Sequence, residues 1–190
     1  MLTSLLHHQR RVTCVQCKAT IGHSHEGGTV EMFKHALALR DSCGHDVASP
    51  SVGAFVAHDM IRIAHIHATR HFLLESEGRT DGQSRVFLWL LLDSFDVAVS
   101  PGCGVRVRSQ AGGTACAFPA CKVFFRHEAD GQDQETRAPH WSQPGTVEHL
   151  RYPQAAYRDV VQQLEAAMHA YPPSQRTMLD SWHTAFLPLI

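Results

Sequence analysis

Cys14-Val15-Gln16-Cys17 is the sharpest chemical spacing in the chain. Two thiolates separated by two residues can grip one zinc ion from a single turn, and a structural zinc site then needs two further ligands. Cys14 and Cys17 are therefore expected as metal ligands supplying half of a zinc site. The partners at hand are His23, His25, or Cys43 with His45, and none repeats the two-residue spacing. Two ordinary reduced cysteines are an equally good account. A thioredoxin-type redox pair fits less well, because such a pair opens a helix after a strand and no helix is expected to start at Lys18.

His65, His67 and His71 form the next cluster. On a helix His67 and His71 share a face that could hold zinc, but no glutamate stands between them as a catalytic base would. The segment also crosses an expected helix-to-strand boundary, so solvent-facing histidines are the favoured account. Cys103, Cys116 and Cys121 are possible nucleophiles only if a base or a cation lies beside them. Cys121 falls in an apolar strand and is expected in the core, whereas Cys103, between glycines, is the more exposed. Gly102-Cys103-Gly104 is followed by no helix, so there is no dinucleotide fingerprint, and neither a serine elbow nor a phosphate loop is present. No catalytic residue can be assigned from spacing.

The elements that must position these groups are organised around Val86 to Ser100. Seven unbroken apolar residues, Val86 to Leu92, are too many for a half-exposed strand and too few to span a bilayer. The expected form is a strand buried on both faces, a tight turn at Asp93-Ser94, and a one-sided strand through Val97 and Val99. Ser51 to Thr69 is expected as a helix. Ser51 caps it, Val52, Phe55, Val56, Met60 and Ile63 make its apolar stripe, and His58, Asp59, Arg62 and His65 make its polar side. A second amphipathic helix is expected with Pro153 as its first residue, its stripe running through Tyr157, Val160, Val161, Leu164 and Met168 until Tyr171-Pro172-Pro173 stops it.

Strands are expected at His71 to Leu74, Cys121 to Arg126, Val147 to Tyr152 and Trp182 to Ile190, with a short edge strand at Val105 and Val107. A turn is marked by Asp81-Gly82 and a long mobile loop by His127 to Gly145. Two short strands around a turn would carry Cys14 and Cys17. Val30 to Arg40 is ambiguous, its alanines favouring helix. The fold class is α+β: a mostly antiparallel sheet with two amphipathic helices packed on it. Residues 1–50 form a cysteine-pair strand region and residues 51–190 the larger part, expected together as one compact unit.

A chain of 190 residues with 44% hydrophobic and 18% charged residues is long and apolar enough for one sizeable core. Its formal charge of −1 leaves no electrostatic footprint for direct binding of nucleic acid or an acidic membrane. Fifteen histidines would turn that charge strongly positive below about pH 6.5. Six cysteines without an export signal point to reduced thiols in cytoplasm or nucleus. A strand beginning within about ten residues of the first residue suggests a fragment or a shortened relative of something longer.

Taken in order, several segments resemble the HECT-like ubiquitin ligases that bind ubiquitin-conjugating enzymes. The resemblance is carried by Val12 to Lys18 with Gly22, by Phe33-Lys34, by Ser51 to Leu74, by Val86 to Ser100 and by Lys122 to Phe125. It closes on Leu164 to the end, above all Pro172-Pro173-Ser174-Gln175-Arg176 with Trp182 and Ala185-Phe186-Leu187. It covers nearly the whole chain and matches the C-terminal half of the family. The family's N-terminal half, with another cysteine pair and the cysteine linked to ubiquitin transfer, has no counterpart in the sequence.

The resemblance implies a protein that binds a ubiquitin-conjugating enzyme and promotes ubiquitination of a substrate protein. A rival implication is a non-catalytic regulator that binds the endonuclease of pre-mRNA 3′-end processing. It further implies that Cys14 and Cys17 are half of a zinc site completed upstream in longer relatives, and that Val30 to Leu39 is strand. No segment matches the catalytic cysteine loop of true HECT ligases, so Cys103 and Cys121 inherit no role. The sequence does not name the docking face: the histidine-bearing side of Ser51 to Thr69 and the loop His127 to Gly145 are candidates, and an exposed helix face is usually just solvated.

Overall fold

The computed structural model describes residues 10–47, 50–77, 85–99, 116–127, 147–178 and 181–189. Cys103, the Asp81-Gly82 turn, the Val105–Val107 strand and nearly all of the loop His127 to Gly145 lie outside the described residues. The chain divides into two units, Met1–Pro50 and Ser51–Ile190.

In the first unit β1 (Arg10–Thr13), β2 (Thr20–Ser24) and β3 (Val30–Met32) pair antiparallel in that order. Gly22 sits in the middle strand opposite both Val12 and Met32. A Cβ there would run into the Glu31 carbonyl, so the close approach of β2 and β3 requires glycine. Val30 to Leu39 is neither the helix that its alanines favour nor the continuous strand that the resemblance implies. Strand pairing ends at Met32, one 3-10 turn covers Lys34–Ala36, and pairing resumes in the hairpin of β4 (Leu39–Arg40) with β5 (Asp46–Val47). Phe33 makes the break. Its N–H still donates to the Ile21 carbonyl, while its ring packs between His23 and His35.

The second unit opens with α1 (Val52–His67), capped by Ser51, whose Oγ accepts from the Ala54 N–H at 3.2 Å. Val56 and Met60 of the expected stripe are fully buried, and Gly53, Ala54, Ala57 and Ala64 beside them keep the helix close to its neighbours. At Gly53 a Cβ would strike Gln163 and crowd Leu187.

The strands β6 (His71–Ser76), β7 (Val86–Val99), β8 (Cys116–His127) and β9 (Glu148–Tyr152) follow, and after them α2 (Gln154–Ala170). One helical turn, α3 (Pro173–Arg176), leads into β10 (Thr177–Met178) and β11 (Trp182–Pro188). They form one six-stranded sheet in the order β10-β11-β8-β7-β6-β9, antiparallel at every pairing except β6 with β9. The α+β class and the two packed helices are as expected.

The tight turn expected at Asp93-Ser94 is a correction. The stretch is one 14-residue strand, and β8 accompanies it from Val86↔His127 to Val99↔Cys116. Register shifts between Leu90 and Leu92 and between Leu92 and Phe95 each place one extra residue on β7. Arg70 holds the bulged region: its Nη1 donates to the Leu90 and Leu91 carbonyls, each at 3.4 Å, and to Asp93 Oδ1 at 2.9 Å. Polar residues read as turn chemistry thus serve a bulge, because a long partner strand offers the backbone hydrogen bonds a turn would forgo.

Val86, Leu88 and Leu90 are fully buried in one cluster with Val56, Met60, Val160 and Leu164, so both helices lie on the same face of the sheet. The opposite face carries Phe87 and Trp89, half-buried, with Phe124 and Trp182. Trp89 meets Phe124 and Trp182 edge-on, at centroid distances of 5.9 and 6.2 Å, and the Arg126 guanidinium lies over Phe87 and Trp182.

Candidate functional site

Cys14 directly follows β1, and Cys17 lies in the turn that leads to β2. The Cys14 N–H donates to the Ala19 carbonyl at 2.8 Å and the Lys18 N–H returns to the Cys14 carbonyl at 3.0 Å, with Lys18 in the left-handed region at φ 61°. The backbone N–H groups of Cys17 and then Gln16, with the Cys17 side chain, bond the Cys14 sulfur and lower its pKa from the ordinary thiol value. N–H groups aimed at a sulfur stabilise the thiolate, the form that binds metal or attacks a carbonyl. Val15, at the tip between the two thiols, is 86% exposed.

The expected partners of this pair are engaged elsewhere. His23 stands edge-on to Phe33, and His25 Nε2 lies 3.1 Å from Glu31 Oε2. Among the described residues, the group of three or more Cys, His, Asp or Glu donors close enough to share one ion is Asp41, Cys43 and His45, on the β4–β5 hairpin. Sequence spacing pointed to Cys43 with His45 and missed Asp41, although Asp ahead of a Cys-Gly-His turn is a turn-forming signal.

In the second unit His65, His67 and His71 go to three different places. His65 Nε2 lies 3.1 Å from Asp93 Oδ2, His67 Nδ1 lies 2.6 Å from Glu148 Oε1, and the His71 ring packs against Trp89. They do not converge on one ion. Burial pushes the Asp93 carboxyl up, but the His65 hydrogen bond and the Arg70 charge outweigh it and hold the group below the usual carboxylate range. Tyr152 Oη donates to Asp59 Oδ2 at 2.6 Å, so Asp59 on the polar side of α1 serves as an anchor for β9. Cys121 is fully buried and its thiol is pushed up to about 12, mainly by burial, which makes it a core residue and not a nucleophile.

Glu75 is the functional-looking residue that spacing did not reveal. It is 7% exposed, with Arg85 Nε at 3.1 Å, His149 Nδ1 at 3.0 Å and Arg151 Nε at 3.5 Å. Three partners around one buried carboxylate tie β6 to β9 and to the start of β7, a structural use of charge. Two large apolar residues flank the His65–Asp93 bridge instead. Ile66, next to His65, is 64% exposed and Leu92, next to Asp93, is 48% exposed. No helix among the described residues is long and apolar enough to cross a membrane.

Comparison with known proteins reaches across both units. The chain is 23% identical over 190 residues to a mouse E3 ubiquitin-protein ligase, covering 94% of this chain and 50% of that protein. It thus spans about half the length of the curated relative it matches. No solved structure matches it significantly. The family model described as HECT-like ubiquitin-conjugating enzyme (E2)-binding matches residues 3–184. By that match, which runs from before β1 into β11, the chain belongs to the HECT-like ubiquitin-conjugating enzyme (E2)-binding family.

Proposed function

We propose that this chain docks a ubiquitin-conjugating enzyme and, like an E3 ligase, promotes ubiquitination of a substrate protein in the cytoplasm or nucleus. The observation that carries this reading is the family match over residues 3–184, which runs from before β1 into β11 rather than over a local motif. The docking face is the C-terminal end of α1 with the adjoining bulge of β7. Ile66 and Leu92 supply exposed apolar contact area there, and His65, Arg70 and Asp93 supply a polar rim whose members are held by one another. The Cys14–Cys17 turn grips zinc in the same reading, its N–H groups already directed at sulfur.

Docking is tested with the purified chain and a panel of ubiquitin-conjugating enzymes, charged and uncharged, by calorimetry. Saturable binding to at least one enzyme that falls about tenfold or more in Ile66→Asp/Leu92→Asp is the expected result. Absence of binding across the panel overturns the reading. A reductant-sensitive ubiquitin adduct on the chain would add transfer to docking, its chemistry being thioester exchange between the enzyme's cysteine and a thiol of this chain. If the chain instead captures the pre-mRNA 3′-end processing endonuclease and no conjugating enzyme, the non-catalytic regulator replaces the ligase.

A further inference from the structure

The geometry points to a metal centre confined to one short turn: Asp41, Cys43 and His45 hold a zinc-like divalent cation at the tip of the β4–β5 hairpin, independently of Cys14 and Cys17. One ligand atom from each of the three lies within 4.8 Å of the other two. Ligands about 2.0–2.3 Å from a tetrahedral ion stand about 3.3–3.8 Å apart, so closing on the ion requires shifts of about 1 Å at an exposed tip. The distance from His45 Nδ1 to Asp41 Oδ2, 3.3 Å, already has that value.

The tip is built before any ion arrives. Asp41 Oδ1 accepts from the Cys43 N–H and the His45 N–H, both at 2.9 Å, while Oδ2 pairs with His45 Nδ1 at 3.3 Å, a contact the ion would replace. The Gly44 N–H donates to the Asp41 carbonyl at 3.0 Å, and Gly44 supplies the left-handed φ of 82° that the turn requires. The Asp41 N–H closes the loop on the His45 carbonyl at 3.0 Å. With these hydrogen bonds fixing the turn, little ordering remains for the ion to impose.

The donor set chooses the cation. One thiolate, one imidazole and one carboxylate suit zinc, whereas calcium and magnesium require oxygen ligands throughout. Charge balances: the ion's two positive charges meet the carboxylate and the thiolate formed as the Cys43 proton leaves to solvent, with the imidazole neutral. Three protein ligands leave one position open, to water or to a donor from a partner.

The test is cobalt titration of the metal-free full chain under reducing conditions, read from the sulfur-to-cobalt charge-transfer band and the tetrahedral visible bands. Cys14→Ser/Cys17→Ser should keep one equivalent with the thiolate band. Cys43→Ser should lose that equivalent, and Asp41→Asn, whose amide oxygen still accepts the two N–H groups, should bind about tenfold more weakly or worse. Zinc should displace the cobalt. The proposal is overturned if Cys43→Ser changes nothing, if Cys14→Ser/Cys17→Ser abolishes all cobalt binding, or if the wild type binds none. Calorimetry with the conjugating enzymes is a separate readout, so failure here leaves the docking reading standing.

Discussion

His65 Nε2 lies 3.1 Å from Asp93 Oδ2, joining the last turn of α1 to the bulge of β7 across 28 positions of sequence. The same carboxylate takes the Arg70 guanidinium at 2.9 Å on its other oxygen. A residue that looks like turn punctuation is therefore the meeting point of α1, β7 and the segment that joins α1 to β6.

Asp93→Asn should destabilise the second unit by about 1 kcal/mol, since the bridge is part-exposed and screened. The loss should depend on pH with a definite sign. The folded-state pKa of Asp93 lies below the ordinary carboxyl value of 3.8, so the unfolded chain binds the proton more readily. The contribution is present above about pH 4 and fades as pH falls through the folded-state value. Urea midpoints of wild type and variant should converge in strong acid, and a gap that persists there would assign the effect to packing.

Leu88→Ala and Leu92→Ala should separate the two faces of β7. Leu88 is fully buried, and its truncation should cost about 2–5 kcal/mol. Leu92 is 48% exposed beyond the first register shift, and its truncation should stay within about 0.5 kcal/mol. Equal losses in chemical denaturation would restore the hairpin with both leucines inside.

Trp89→Asp should unfold the second unit under ordinary conditions, because a carboxylate would sit among the rings of Phe124, Trp182 and His71. Trp89→Phe, which keeps an aromatic edge in place, should leave it folded with a loss of about 1–3 kcal/mol. Near-ultraviolet circular dichroism distinguishes the two, and a native spectrum for Trp89→Asp would mean that the second face carries little of the stability.

Gly22→Ala should disturb the first unit alone. The added Cβ meets the Glu31 carbonyl, a backbone atom that cannot turn aside, and the expected cost is about 1–3 kcal/mol. Hydrogen exchange should accelerate in β1, β2 and β3 while β6, β7 and β8 keep their protection. Uniformly faster exchange would instead show that the two units unfold together.

The long-range plan was readable where periodicity and punctuation agree. Ser51 before a three-and-four-residue apolar stripe defines α1, and Pro153 with Tyr171-Pro172-Pro173 bounds α2. Pro153 is the residue just before the helix rather than its first, a one-position difference typical of helix ends. The second strand face misled through Asp93-Ser94, since the same residue types serve turns and bulges and only the partner strand decides between them.

The Asp41–Cys43–His45 tip shows the same division. Cys43 and His45 stand out as donors in any reading of the chain, but Asp41 joins them only because the turn folds its carboxylate back over both N–H groups. Glu75 was illegible for a related reason. Its partners Arg85, His149 and Arg151 come from distant segments, which only the pairing of β6 with β9 and β7 brings together.

By itself the sequence determined the apolar segments, their helical or extended character and the paired thiols, because those follow from local spacing and from what each side chain does to its own backbone. The tertiary structure alone decided that both helices share one face of the sheet, that β7 bulges instead of turning, and that the neighbouring histidines His65, His67 and His71 find separate partners. The physical reason is that registry, face and ion-pair partners are set by which distant strand supplies the hydrogen bonds, and that choice is a property of the whole packed sheet.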